Sequence, residues 1–158
     1  QLSNALASFT GVHRRFEIVL ETNDIILIDD YAHHPTEIKN CLQAVQSKYP
    51  NKKITAVFQP HLFSRTRDFM DDFAKELSIA SNIILLPIYP AREEPIDGIN
   101  SQLLLTKIEN HNKTLVNDNQ LVNHITSVKH EVIVMMGAGN IDKLVPLVKK
   151  QLEINSTL

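Results

Sequence analysis

Three short, predominantly apolar runs constrain this chain more than anything else in it: residues 54–58, 83–88 and 132–136. A strand that is apolar at nearly every position has no face to give to water. It belongs in a sheet covered on both sides, and such sheets are mostly parallel. The segments between the runs carry a different period. After Pro35, residues Ile38, Leu42, Val45 and Tyr49 recur every three or four positions. That is the spacing of one helix face, and proline suits a first helical position. Phe69, Phe73 and Leu77 predict a helix over 66–80. Further helices are expected from Ser101, as cap, to about 108, over 119–128 and over 140–152, with a short strand at 114–116. Residues 16–20 and 25–29, joined across Asn23-Asp24, read as a hairpin. The expected fold class is α/β: a doubly wound, Rossmann-like, mostly parallel sheet with one antiparallel edge strand from the N-terminal hairpin. Its crossovers should be right-handed.

Composition narrows the function classes. The 158 residues match the usual size of one domain, and no internal repeat or low-complexity segment interrupts them. A net charge of −2 leaves no electrostatic footprint for nucleic acid. No apolar run approaches the roughly 18–20 residues of a membrane span, and Gln1-Leu2-Ser3-Asn4 does not open a signal peptide. The single cysteine, Cys41, falls in a helical pattern and reads as a core residue. With no disulfide possible, a cytoplasmic setting is expected. The chain starts without Met in a helix-like stretch, which suggests a piece of a longer protein.

In doubly wound folds, ligands bind beyond the carboxyl ends of the strands. Four successive strand ends here carry reactive side chains: Asp29-Asp30-Tyr31-Ala32-His33-His34-Pro35, then Gln59-Pro60-His61-Leu62-Phe63-Ser64-Arg65-Thr66-Arg67, then Tyr89-Pro90-Ala91-Arg92-Glu93-Glu94, then Gly137-Ala138-Gly139-Asn140. Arg65 and Arg67 are expected at a helix start, where positive charge costs stability unless an anion sits there. Arginine suits carboxylate or phosphate; pairing with Asp68 or Asp71 is the plainer alternative. His33, His34 and His61 match no zinc spacing and lack a supporting cysteine, so no metal site is expected. Gly137 and Gly139 permit a tight turn, which packing alone would also explain. The third glycine of a dinucleotide fingerprint is replaced by Asp142, and no Gly-x-x-x-x-Gly-Lys-Ser/Thr phosphate loop occurs. If ATP is used, its main phosphate cradle lies elsewhere.

These loops resemble the third domain of the Mur ligases, in the alanine-adding branch. The resemblance rests on Asp29 through Ile38, on Phe58 through Asp68, and on Gly11-Val12-His13-Arg14-Arg15-Phe16-Glu17. Tyr89-Pro90-Ala91-Arg92-Glu93 and Gly137-Ala138-Gly139-Asn140-Ile141 extend it over nearly the whole chain. It implies that residues 1–13 are a helix or linker from a preceding central domain and 14–158 the C-terminal domain. It further implies ATP with Mg2+, held mainly by that central domain, and UDP-N-acetylmuramate and L-alanine as substrates. An acyl phosphate on the muramate carboxylate would be attacked by the alanine amine. The domain alone would be inactive, needing the N-terminal and central domains of the same chain.

By resemblance, Arg15 reaches the ATP phosphates and is the catalytic candidate. Asp30 holds the nucleotide ribose, and Tyr31 and His34 line the nucleotide pocket. His33, His61, Arg65 and Arg67 bind the amino acid, with backbone from Gly137 and Ala138. Ala32 stands where many members have Gly, a departure that matters only if that position needs a positive φ. The murein-tripeptide recycling ligase shares the Asp-Asp-x-Ala-His-His-Pro loop but differs across 59–67. A non-catalytic nucleotide-binding module is the remaining alternative.

Overall fold

The computed structural model describes residues 13–155. The helix-like start and the proposed 1–13 linker, His13 apart, lie outside the described residues. Six strands form one sheet: β1 (Glu17–Glu21), β2 (Ile26–Asp30), β3 (Ile54–Phe58), β4 (Asn82–Leu85), β5 (Lys113–Leu115) and β6 (Val132–Met136). Their order is β1-β2-β6-β3-β4-β5. β1 runs antiparallel to β2 and every other pairing is parallel. The expected fold, including the antiparallel hairpin edge, is the observed one.

Side-chain alternation explains why helices cover both faces. Ile28, Ala56, Phe58, Ile83, Leu85, Val134 and Met136 point to one side. There they meet α1 (Pro35–Lys48), α3 (Met70–Leu77) and α4 (Ser101–Lys107) through Leu42, Phe73 and Leu104. Leu27, Val57, Ile84, Ile133 and Met135 point to the other. There they meet α5 (Asp118–Thr126) and α6 (Val145–Asn155) through Leu121, Ile125 and Val148. Cys41 is buried in the first of these cores, and burial pushes its thiol pKa up.

Several boundaries differ from expectation, each for a reason outside the local pattern. The helix expected over 66–80 is two helices, α2 (Phe63–Asp68) and α3, broken at Phe69. The stripe of Phe69, Phe73 and Leu77 keeps its spacing across the break, which hid it. Asn100 caps α4 through Leu103 N–H (2.8 Å), whereas Ser101 instead donates to Leu86 O (2.7 Å). The last helix is preceded by a separate 3-10 turn, Asn140–Lys143. Pro146 falls in the first turn of α6, where its missing N–H does no harm. β4 stops at Leu85, and Pro87 follows in the loop.

If both faces are true cores, Leu42→Ala and Leu121→Ala should each remove about 2–5 kcal/mol in urea unfolding. Leu147→Ala, at a position 53% exposed, should change stability by less than about 0.5 kcal/mol. A negligible loss at either buried leucine would mean that its face of the sheet is not packed.

Candidate active site

All four reactive strand ends meet at one rim, because β6 returns between β2 and β3. Tyr31 and His33 touch edge to face (5.1 Å between centroids), His33 approaches His61 (6.3 Å), and His61 stacks on Tyr89 (5.6 Å, 24°). The Arg14 guanidinium lies 5.1 Å from the Tyr31 ring centre, closing the row with a cation–π contact.

The two arginines before β1 have different surroundings. Arg14 is turned inward: Nε donates to Asp29 Oδ2 (3.2 Å) and Nη2 to Gly137 O (2.6 Å). Its backbone O accepts from Tyr31 N–H (2.7 Å). Burial pushes the Asp29 carboxyl pKa up, and the Arg14 charge only partly offsets that. Arg15 is exposed and makes no ion pair or side-chain hydrogen bond among the described residues. Asp30 receives backbone N–H groups on both oxygens, from Phe16 (2.8 Å) and Ala32 (2.8 Å). It thereby ties the start of the hairpin to the loop after β2, and each oxygen keeps a further lone pair. Ala32 is buried and does not have a positive φ, so alanine in place of glycine is harmless there.

His33 and His34 divide between site and scaffold. His33 Nδ1 donates to Tyr31 O (2.9 Å), since a carbonyl only accepts, and lies 3.3 Å from Glu37 Oε2. His34 caps α1, its Nδ1 accepting from Thr36 N–H (3.3 Å), with its ring against Phe69 (4.7 Å). Glu37 completes the cap by accepting from His33 N–H (2.9 Å) and His34 N–H (3.2 Å).

His61 Nδ1 and Arg65 Nη1 are both buried without a hydrogen-bond partner among the described residues. Buried polar atoms are seldom left so. Burial first, then the Arg65 and His33 charges, hold the His61 pKa below its ordinary value. Arg67 stands apart, 52% exposed and paired with Asp68 (2.8 Å). The expectation that Arg65 and Arg67 open a helix needs correction. They lie in the last turn of the six-residue α2, where the dipole favours cations. The N-terminal turn is instead met by Glu93, whose carboxylate accepts from Ser64 N–H (2.9 Å) and from Ser64 Oγ.

The turn after β6 is fixed by close approach. A Cβ on Gly139 would lie 2.6 Å from Tyr89 Cγ and 2.6 Å from Gln59 Oε1. Gly137 has φ +152°, and a Cβ there would lie 2.9 Å from Gln59 O. Gln59, itself buried, donates to Asn140 Oδ1 (2.7 Å) and accepts from Ile141 N–H (3.0 Å). Ala138, between the two glycines, is partly exposed at the rim. Packing therefore accounts for both glycines.

Arg14, Gln59, Tyr89 and Glu93 are structural partners that sequence reasoning did not single out. A buried-strand end followed by Gln-Pro was the only local signal, for Gln59. The others depend on contacts 15 to 123 residues away. Among the described residues, no group of three or more His, Cys, Asp or Glu is placed to hold a metal. Among the same residues, no helix is long and apolar enough to cross a membrane.

Comparison with known proteins agrees with this geometry. The Mur ligase, glutamate ligase domain family matches residues 14–139. The chain is 55% identical over 152 residues to the UDP-N-acetylmuramate–L-alanine ligase of Flavobacterium psychrophilum, covering 96% of this chain and 34% of that protein. It is 57% identical over 151 residues to the ligase of the same name from Christiangramia forsetii, covering 96% and 33%. The crystal structure of UDP-N-acetylmuramate–alanine ligase from Thermotoga maritima superposes with a TM-score of 0.76 at 29% identity, covering 96% of this chain and 33% of that one. The chain thus spans about one third of the length of the curated relatives it matches. With the family matched over most of its length and the rim loops assembled at one sheet edge, the chain belongs to the Mur ligase family.

Proposed function

We propose that the full-length protein carrying this chain joins L-alanine to UDP-N-acetylmuramate with hydrolysis of ATP. Residues 14–158 would be the domain that closes on the nucleotide and holds the incoming amino acid, with 1–13 linking it to a central domain. The observation that carries this reading is the pair of buried, unpartnered groups, His61 Nδ1 and Arg65 Nη1, at the ligand-binding rim. A small amino acid supplies what they lack: a carboxylate for the guanidinium and a polar partner for the imidazole. The high identity to alanine ligases makes L-alanine the preferred candidate.

The residues fit one edge of a nucleotide and not its whole cradle. Exposed Arg15 can reach phosphate oxygens presented by a facing domain, and Tyr31, 41% exposed, offers a ring for a base. Asp30 can accept a ribose hydroxyl on its remaining lone pairs. His34 would take part only through Nε2, since Nδ1 is engaged in the helix cap. ATP, with Mg2+ held mainly by the central domain, would supply the phosphoryl group that activates the muramate carboxylate. Arg15 would balance charge on that group as it transfers. His33 Nε2 and the partly exposed backbone of Ala138 would border the amino acid, whereas Gly137, buried with its N–H on Asp30 O and its carbonyl on Arg14 Nη2, would contribute only by shaping the turn. Arg67 would contribute by leaving its surface pair with Asp68. The Arg65 charge favours the uncharged form of a nearby amine, the form that attacks. The same reading places the enzyme in the bacterial cytoplasm.

In the full-length protein with ATP, magnesium and UDP-N-acetylmuramate, phosphate release should depend on L-alanine far more than on glycine, L-serine or L-Ala-γ-D-Glu-diaminopimelate. Preference for the tripeptide would assign the protein to murein recycling, and no stimulation by any of them would leave a nucleotide-binding module. Arg15→Ala should lower kcat by about 10²–10³-fold while leaving UDP-sugar binding nearly unchanged. Near-normal turnover would remove Arg15 from the phosphate site.

A further inference from the structure

The Glu93 carboxylate is held in place with both oxygens on Ser64. These hydrogen bonds are the main reason that its pKa is lowered. The loop that carries it, leaving β4, is stitched to the loop leaving β3: Leu62 N–H donates to Tyr89 O (2.9 Å) and Tyr89 N–H to Pro60 O (2.8 Å). Each loop has a residue in left-handed backbone, Leu62 (φ +72°) and Ala91 (φ +54°). Such conformations persist only where surrounding contacts over-determine them. Leu62 occupies the N-cap position of α2 and has no side chain able to cap it. Glu93 does so from 29 residues downstream.

Arg65 follows Ser64 directly, and His61 precedes it by three residues. We propose that Glu93 is a positioning residue for amino-acid binding: by latching Ser64 it aims Arg65 and His61 at the incoming carboxylate without neutralising Arg65. Both Glu93 oxygens face Ser64, and Glu93 forms no ion pair with Arg65. Arg65 Nη1 is left buried and without a hydrogen-bond partner. A plain helix cap would stabilise α2 equally well with any short polar side chain at position 62. A cap delivered from the β4 loop also locks Tyr89 and its stack on His61 to the same helix.

The proposal rests on the amino-acid role given above to Arg65 and His61, and its test separates the two ideas. In the full-length protein, Glu93→Ala should raise KM for L-alanine about tenfold or more, the scale of a lost charge-assisted hydrogen bond. KM for ATP and for UDP-N-acetylmuramate should stay within about twofold. Glu93→Gln keeps an acceptor for Ser64 N–H and should recover much of the loss. An unchanged KM for L-alanine, or an equal rise for all three substrates, would overturn the proposal. A second readout does not need activity. The Glu93 charge raises the His61 pKa, so NMR titration of the 158-residue chain should give a lower His61 midpoint in Glu93→Gln than in the parent. An unmoved midpoint would show that the carboxylate does not govern the His61 environment. If the parent enzyme shows no L-alanine-dependent turnover, the functional reading fails, and the titration still decides whether the Glu93 carboxylate lies close enough to act on His61.

Discussion

The burial of β6 between β2 and β3 is the constraint on which the rest depends. All five residues of β6 are buried, and it pairs in parallel on both sides, Met136 lying level with Asp30 and with Phe58. The chain thus leaves β2, β3 and β6 at one level of the sheet. Loops that are far apart in sequence are forced to share one rim. The sheet order also reverses here, since β2 leads to β3 and β6 returns between them. A crevice beyond the carboxyl ends at such a reversal is where doubly wound folds bind ligands. The Gly137 turn sits in that crevice, its carbonyl taken by Arg14 and its N–H bonded to Asp30 O (3.3 Å).

Around this turn the structure stores strain and holds it with polar contacts. Arg14, Phe16, Leu62 and Ala91 all have positive φ, at about 1–3 kcal/mol each for non-glycine residues. All four lie at the rim or on the strands' approach to it. Each is flanked by hydrogen bonds that set its geometry: Arg14 to Asp29 and Gly137, Phe16 to Asp30, Leu62 to Tyr89, and the Ala91 turn by Glu93 N–H to Pro90 O (2.9 Å). The opposite pattern holds in the helices, where the caps of α1, α4 and α5 are local and the burial stripes regular. Rigid packing below and constrained backbone above suit a binding surface whose side chains are placed in advance.

The fold was legible in the sequence because its signals are local. Predominantly apolar runs at 54–58 and 132–136 announce buried parallel strands, and Ile38, Leu42 and Val45 announce a helix. The rim was legible for a similar reason, as strand ends can be read directly once the strands are known. What stayed hidden was division of labour. Nothing local tells Arg14 from Arg15, yet one is a buried staple and the other faces outward. The helix of Arg65 begins at Phe63 because Glu93 caps it from another loop, which no window around Thr66 contains. Gly139 reads as a flexible turn residue, whereas Tyr89 and Gln59 leave no room for a side chain.

The central claim is that the unpartnered Arg65 guanidinium is kept for the carboxylate of the incoming amino acid. The most direct measurement is the KM for L-alanine of the full-length Arg65→Gln variant, with ATP and UDP-N-acetylmuramate saturating. The account predicts a rise of about tenfold to a hundredfold, as expected for a lost charge-assisted pair, with the other two KM values little changed. A KM for L-alanine equal to that of the parent would show that the guanidinium serves the fold and not the substrate.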